Sequence, residues 1–157
     1  MVEMKKAKNV RVCSKCNAPA AVFLAYAPTH LCEHHFIEMF EKRFRKTIRE
    51  LGLIKKNSTV AIALSGGKDS TVLLHLLVDL RKSLPFKLVA ITIDEGISGY
   101  RSKTLVVAKR ECKKLKVKLK VVSFRGASGK TLDTILRADK SLLPCSVCGV
   151  FRRHLLN

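Results

Sequence analysis

Val60-Ala61-Ile62-Ala63-Leu64-Ser65-Gly66-Gly67-Lys68-Asp69-Ser70 is the stretch on which the fold turns. Five apolar residues read as a strand, and Val72, Leu73, Leu76, Leu77 and Leu80 downstream fall at helical spacing. A glycine-rich turn between strand and helix presents bare backbone N–H groups and the positive end of a helix dipole to an anion. Gly66 and Gly67 are expected to supply positive φ and close approach. Ser65 and Ser70 add hydroxyl donors and Lys68 a point charge. The Walker pattern is excluded, because no glycine stands five positions before a Gly-Lys-Ser/Thr. Phosphate is the ligand this loop suits.

Outward from the loop, strands alternate with helices. Lys87 to Ile93 reads as a second strand; Leu105, Ala108, Cys112 and Leu115 mark a helix; Val117, Leu119 and Val121 mark a third strand. That alternation predicts βαβ units and a parallel sheet. Lys118 and Lys120 interleave the third strand, whereas the first two are uninterrupted runs. The first two are therefore expected to be buried on both faces and the third to lie at an edge, giving the order 3-2-1. The ligand crevice would lie beside strand 1, against a strand still to come. After Lys130 one short helix is expected around Thr131 to Ala138, with no such strand, so the domain reads as interrupted at Asn157.

Composition narrows the class. The 157 residues have room for one domain and a small appendage. No apolar run approaches the roughly 20 residues of a membrane span, and the basic start leads into no secretory core. Lysine and arginine total 31 against 12 acids, a net charge of +19. Between Arg101 and Lys130 there are 11 basic residues and one acid, Glu111. A surplus so clustered suits a polyanion held through its phosphates, nucleic acid by default. With no tryptophan and 6% aromatics, base stacking is not expected to carry affinity.

Two cysteine clusters complete the pattern. Cys13-x-x-Cys16 and Cys32-x-x-His35 supply four soft ligands in two tight pairs, the arrangement a tetrahedral zinc ion requires. His34 competes with His35, but only His35 repeats the x₂ spacing. A module this small lacks a core without metal, so the site is expected to be structural. Phe36, Phe40, Phe44, Ile48 and Leu51 then recur at helical spacing, and Gly52 is expected to end that helix. The domain plan is a zinc-binding module over 1–37, a linker helix over 38–56 and a nucleotide domain over 57–157. Cys145-x-x-Cys148 stands apart. It reads as part of an iron–sulfur site, as a redox or sulfur-relay pair, or as an exposed pair of no consequence. Arg152 and Arg153 nearby are expected to lower the thiol pKa values.

Taken in order, these motifs resemble a known family. The loop Leu64-Ser65-Gly66-Gly67-Lys68-Asp69-Ser70 is similar to the PP-loop of ATP pyrophosphatases. Together with Cys13/Cys16/Cys32/His35, Asp94-Glu95-Gly96-Ile97-x-Gly99-Tyr100-Arg101 and Cys145-x-x-Cys148-Gly149-Val150-Phe151-Arg152-Arg153, it resembles tRNA thiolation enzymes of the TtcA/TtuA group. The latter two stretches are most like the archaeal and eukaryotic cytosolic wobble-uridine branch. The resemblance implies an α/β, Rossmann-like fold of the adenine nucleotide alpha-hydrolase type and a cytoplasmic enzyme. Its expected ligands are ATP, Mg²⁺, Zn²⁺ and a [4Fe–4S] cluster. Its expected partners are tRNA, a sulfur-carrier protein or other sulfur donor, and a second copy or partner subunit, with no membrane.

By the same resemblance, Ser65, Gly66, Gly67, Lys68, Asp69 and Ser70 hold the phosphates, with Lys68 offsetting charge on pyrophosphate and Asp69 organising Mg²⁺. Ala63 and Ile93 would frame the nucleotide, Asp94 meets ribose, and Arg152 contacts phosphate or substrate. Cys145 and Cys148 match two of three cluster cysteines. Relatives continue for roughly as many residues again, through a Gly-His-Asn-x-Asp-Asp segment and the third cysteine. The 157 residues by themselves are therefore expected not to thiolate tRNA. The competing readings are another PP-loop ligase, such as an amidotransferase or lysidine synthetase, and a non-catalytic zinc and RNA-binding module.

Overall fold

A computed structural model of the chain describes residues 11–99 and 101–156. The chain divides after Leu53 into two compact units. The first holds two short strands, β1 (Val22–Leu24) and β2 (Thr29–Leu31), paired antiparallel, followed by α1 (Glu33–Glu50). Its buried core is Cys13, Leu24, Leu31 and Cys32, with Phe36 and Met39 packed against it. Two leucines are too little apolar burial to order a hairpin at roughly 1.5–3 kcal/mol each. Cys13 and Cys32, two of the four potential ligands, fill the remainder of that core.

Helix α1 follows the aromatic periodicity, although of its periodic residues only Ile48 is fully buried and Phe40 remains 44% exposed. Gly52 ends the helix as expected. Its φ of +58° lets Gly52 N–H reach Arg49 O at 3.3 Å and Leu53 N–H reach Ile48 O at 3.1 Å. Those two bonds form a Schellman cap.

The second unit runs β3 (Thr59–Ala63), α2 (Lys68–Leu80), β4 (Lys87–Asp94), α3 (Arg101–Lys114), β5 (Lys118–Ser123), α4 (Phe124–Ser128), α5 (Leu132–Ala138) and α6 (Pro144–Leu156). The three strands are parallel in the order β3-β4-β5, which is the expected order. Central β4 buries Leu88, Ala90, Thr92 and Ile93. The expectation that β3 is covered on both faces fails: Ala61 and Ala63 are exposed. Among the described residues β3 pairs only with β4, so it too is an edge strand. Helix α6, not among the elements expected from sequence, packs Val147, Cys148, Phe151 and Leu155 against Ile93, Phe124 and Leu132. Phe124 and Phe151 lie 5.0 Å apart between ring centres.

Parallel register brings the carboxyl ends of the strands together, with Ala63 opposite Ile91 and Asp94 opposite Ser123. The loops after β3 and β4 therefore open at one end of the sheet, where doubly wound folds bind ligands. Helices α2 and α3 are tied by His75 Nε2 and Glu111 Oε2 at 3.1 Å. The bond from His75 and that from Arg110 hold the Glu111 carboxyl below its ordinary pKa.

Candidate nucleotide site and metal centre

The turn after β3 has two glycines in different roles. Gly66 has φ +82°, and a Cβ there would lie 2.3 Å from the Thr104 carbonyl oxygen. The loop thus packs directly on the first turn of α3. Gly67 was expected to share the positive φ but does not: it caps α2 at φ −83°, ψ 169°. Its Cβ would meet nothing nearer than Ser65 Oγ at 3.4 Å. Helix bonding begins with Thr71 N–H donating to Gly67 O at 3.1 Å. The N–H groups of Lys68, Asp69 and Ser70 precede that bond and have no acceptor within the helix. Ser65 Oγ accepts from Gly67 N–H at 3.3 Å and lies 3.0 Å from Ser70 Oγ, which shapes the turn around those three donors. Lys68 Nζ and Asp69 Oδ1 approach at 3.4 Å, both side chains almost wholly exposed. An exposed pair of this kind contributes little and is free to rearrange around a ligand.

Behind the loop lies a buried charge network. Glu95 and Arg101 are 1% and 3% exposed. Arg101 donates through Nη1 to Ser65 O at 2.9 Å and to Thr104 Oγ1 at 3.0 Å, and through Nη2 to Thr92 Oγ1 at 2.6 Å. Its Nε sits 2.9 Å from Glu95 Oε2, off the N–H direction, so that approach is a charge contact and not a hydrogen bond. The other carboxylate oxygen, Glu95 Oε1, accepts from Arg152 Nε at 2.5 Å. Asp94 accepts from Gly96 N–H at 3.0 Å, which commits one of its oxygens to the local turn.

An open cleft lies at this end of the sheet, lined by Ala63, Ser65, Ile93, Glu95, Arg101 and Arg152 among others. It brings together Ala63, Ser65, Ile93 and Arg152, all singled out from sequence, and adds Glu95 and Arg101. Arg101 had been counted with the surface cations. It is the exception: Lys103, Lys109, Arg110, Lys113, Lys114, Lys116, Lys118, Lys120, Arg125 and Lys130 are exposed.

Cys145 and Cys148 lie one turn apart near the start of α6, the first exposed and the second half-buried. Burial pushes the Cys148 thiol pKa up, and Arg152 only partly offsets it, since Glu95 and Cys145 act with burial. The expected lowering by nearby arginines therefore does not hold for Cys148. As donors, two thiols on adjacent turns fit two corners of a cluster. Among the described residues no third ligand joins them.

In the first unit Cys13, Cys16, Cys32 and His35 converge, with all four candidate ligand atoms within 4.8 Å of one another. His35 Nδ1 lies 3.4, 3.3 and 3.3 Å from the three sulfurs, and Cys16 Sγ and Cys32 Sγ are 3.8 Å apart. Zn–S bonds of about 2.3 Å at tetrahedral angles place sulfurs about 3.8 Å apart, so the residues fit that ion. Although burial opposes it, donation from the amides of Cys32, Lys15 and Cys16 and from His35 brings the Cys13 thiol to about 6. Cys16 is held above its ordinary value: its Ala18 amide favours thiolate, but burial and the sulfurs of Cys32 and Cys13 outweigh it.

A family profile described as "PP-loop domain" matches residues 36–140. The chain belongs to the PP-loop domain family. Residues 12–37 of this PP-loop protein match a second profile, "2-thiouridine synthetase TtuA, N-terminal LIM domain". It is 39% identical to tRNA 2-thiolation protein NcsA of Haloferax volcanii, covering 92% of this chain and 47% of that one. It is 40% identical to cytoplasmic tRNA 2-thiolation protein 1 of Danio rerio, over 92% and 43% respectively. The U34-tRNA thiolase NcsA from Methanococcus maripaludis, solved with its [4Fe-4S] cluster, superposes with a TM-score of 0.81. Identity to that structure is 37%, over 93% of this chain and 48% of the thiolase. The chain spans about half the length of the relatives it matches. No helix among the described residues is long and apolar enough to cross a membrane.

Proposed function

We propose that this chain carries the ATP-using and metal-binding parts of a cytoplasmic tRNA 2-thiouridine synthase acting at the wobble position. The observation that carries the reading is the start of α2, where three N–H groups precede the first helical bond beside the hydroxyls of Ser65 and Ser70. In the reaction the uridine C2 oxygen bonds to the α phosphorus of ATP and the bond to the β phosphate breaks, releasing pyrophosphate. A sulfur donor then forms the C–S bond at C2 as AMP departs with the oxygen. The N–H groups of Lys68, Asp69 and Ser70, together with the Lys68 ammonium, stabilise charge that accumulates on pyrophosphate. Asp69 would organise Mg²⁺ with the phosphates, and Ala63 and Ile93, which line the cleft, would frame the nucleoside.

Cys145 and Cys148 would hold an iron–sulfur cluster, which would carry sulfur for transfer at an iron that no cysteine ligates. Cys13, Cys16, Cys32 and His35 would hold zinc. The exposed lysines of α3 and β5 offer tRNA a polyanion-binding surface of strong salt dependence. A second copy or partner subunit and a sulfur-carrier protein belong to the same reading.

Calorimetry with ATP and Mg²⁺ tests it. ATP should bind, and Lys68→Ala should weaken it about tenfold, the scale of one charge-assisted contact. Unchanged affinity in both Lys68→Ala and Asp69→Ala would instead favour a zinc and RNA-binding module without catalysis.

A further inference from the structure

The Glu95–Arg101 pair is buried in the second unit, yet neither residue has a place in the chemistry above. We infer that Arg101 and Glu95 are positioning residues: they strut the phosphate loop against α6, so that the anion-binding amides and the cysteine-bearing helix keep their places together. The inference deepens the proposed function and rests on it for the loop's role.

The geometry is that of a brace. Arg101 holds the loop at a backbone atom, Ser65 O, and a carbonyl cannot swing away as a side chain can. The same guanidinium holds Thr92 on central β4 and Thr104 on its own helix. Glu95, anchored where its own carbonyl accepts from Leu132 N–H at 2.8 Å, offers one oxygen to Arg101 and the other to Arg152 of α6. The path from Ser65 to α6 is therefore Ser65 O, Arg101, Glu95, Arg152, with charge contacts at two of its three joints. Planar, forked Arg101 is needed because its contacts lie in different directions; a lysine ammonium cannot span them. A buried acid and guanidinium are also a costly way to fill a core, since apolar residues of like volume serve stability as well or better. Both reach the cleft lining, which is where a positioning role would place them.

Hydrogen–deuterium exchange on the 157-residue chain, with calorimetry on α,β-methylene-ATP, tests the strut. Glu95→Gln should raise exchange about tenfold in residues 65–74 and 144–156, the scale of one lost charge-assisted bond. The amides of 88–92 should not change, and analogue affinity should fall by a similar factor. The double variant Glu95→Met/Arg101→Met removes both charges. It should melt near the parent temperature while both segments still exchange fast and the analogue still binds weakly. Should Glu95→Gln fail to fold, Arg152→Gln, half-exposed, should loosen the same two segments. Uniform acceleration, no acceleration in either segment, or double-variant rates equal to the parent's would overturn the inference. A parent chain that binds no analogue while both segments still respond would sink the proposed function and leave the strut standing.

Discussion

Gly66→Ala should lower the melting temperature of the PP-loop unit and abolish most of its nucleotide affinity, while Gly67→Ala next to it should cost little stability. Two effects add at Gly66. Its φ of +82° is strained for alanine by roughly 1–3 kcal/mol. In addition, the new methyl would stand 2.3 Å from the Thr104 carbonyl oxygen, part of a helical turn that cannot yield cheaply. The loop must lift off α3, taking the amides of residues 68–70 with it. We expect a fall of at least about 4 °C and an ATP affinity lower by about tenfold to a hundredfold. At Gly67 the backbone is already extended and the space around a Cβ is open, so only the modest cost of alanine at a helix cap applies, under about 1 kcal/mol. Differential scanning calorimetry and an ATP titration on both variants check the contrast. Equal destabilisation by the two would show that the loop does not rest on α3 as described.

The second large effect concerns the metal. Removing it, by a strong chelator or by Cys32→Ala, should unfold the hairpin of the first unit and leave the sheet of the second intact. The buried core there is two cysteines and two leucines, so the ligand sphere is the core. Structural zinc supplies on the order of 10–16 kcal/mol of apparent binding free energy at neutral pH, far more than those leucines can. Binding requires thiolates, so affinity should fall as pH drops: the fall begins with Cys16, held above its ordinary pKa, and steepens below about 6, where Cys13 also takes up its proton. Elemental analysis should find one zinc per chain. Proteolysis after chelation should cut within residues 11–35 before it cuts within 59–94. Continued protection of that hairpin in the metal-free chain would contradict the account.

Much of this was legible in sequence because it repeats or punctuates. Uninterrupted apolar runs gave β3 and β4 away, lysine interleaving marked β5 as an edge, and x₂ spacing chose His35 over His34. The losses have physical causes. Strands β1 and β2 are three residues each, too short for a period to announce them. Helix α6 was masked by Cys145, Cys148 and Gly149, residues of weak helix propensity. Its packing face (Val147, Cys148, Phe151 and Leu155) does fall at helical intervals and could have been found. The burial of Glu95 and Arg101 was not legible, because charge usually means solvent. Their clue was position, immediately beyond the central strand and at the first turn of the next helix. The exposure of β3 could not be read from its composition, since a continuous apolar run shows that burial is intended and not what provides it.

The most direct test is an amide-resolved NMR titration of the chain with ATP, inorganic pyrophosphate and adenosine in parallel. The amides of Gly67, Lys68, Asp69 and Ser70 should shift most with ATP and with pyrophosphate, and stay in place with adenosine. Shifts of equal size with adenosine, or none at those four positions with either phosphate ligand, would contradict the claim that the start of α2 grips pyrophosphate.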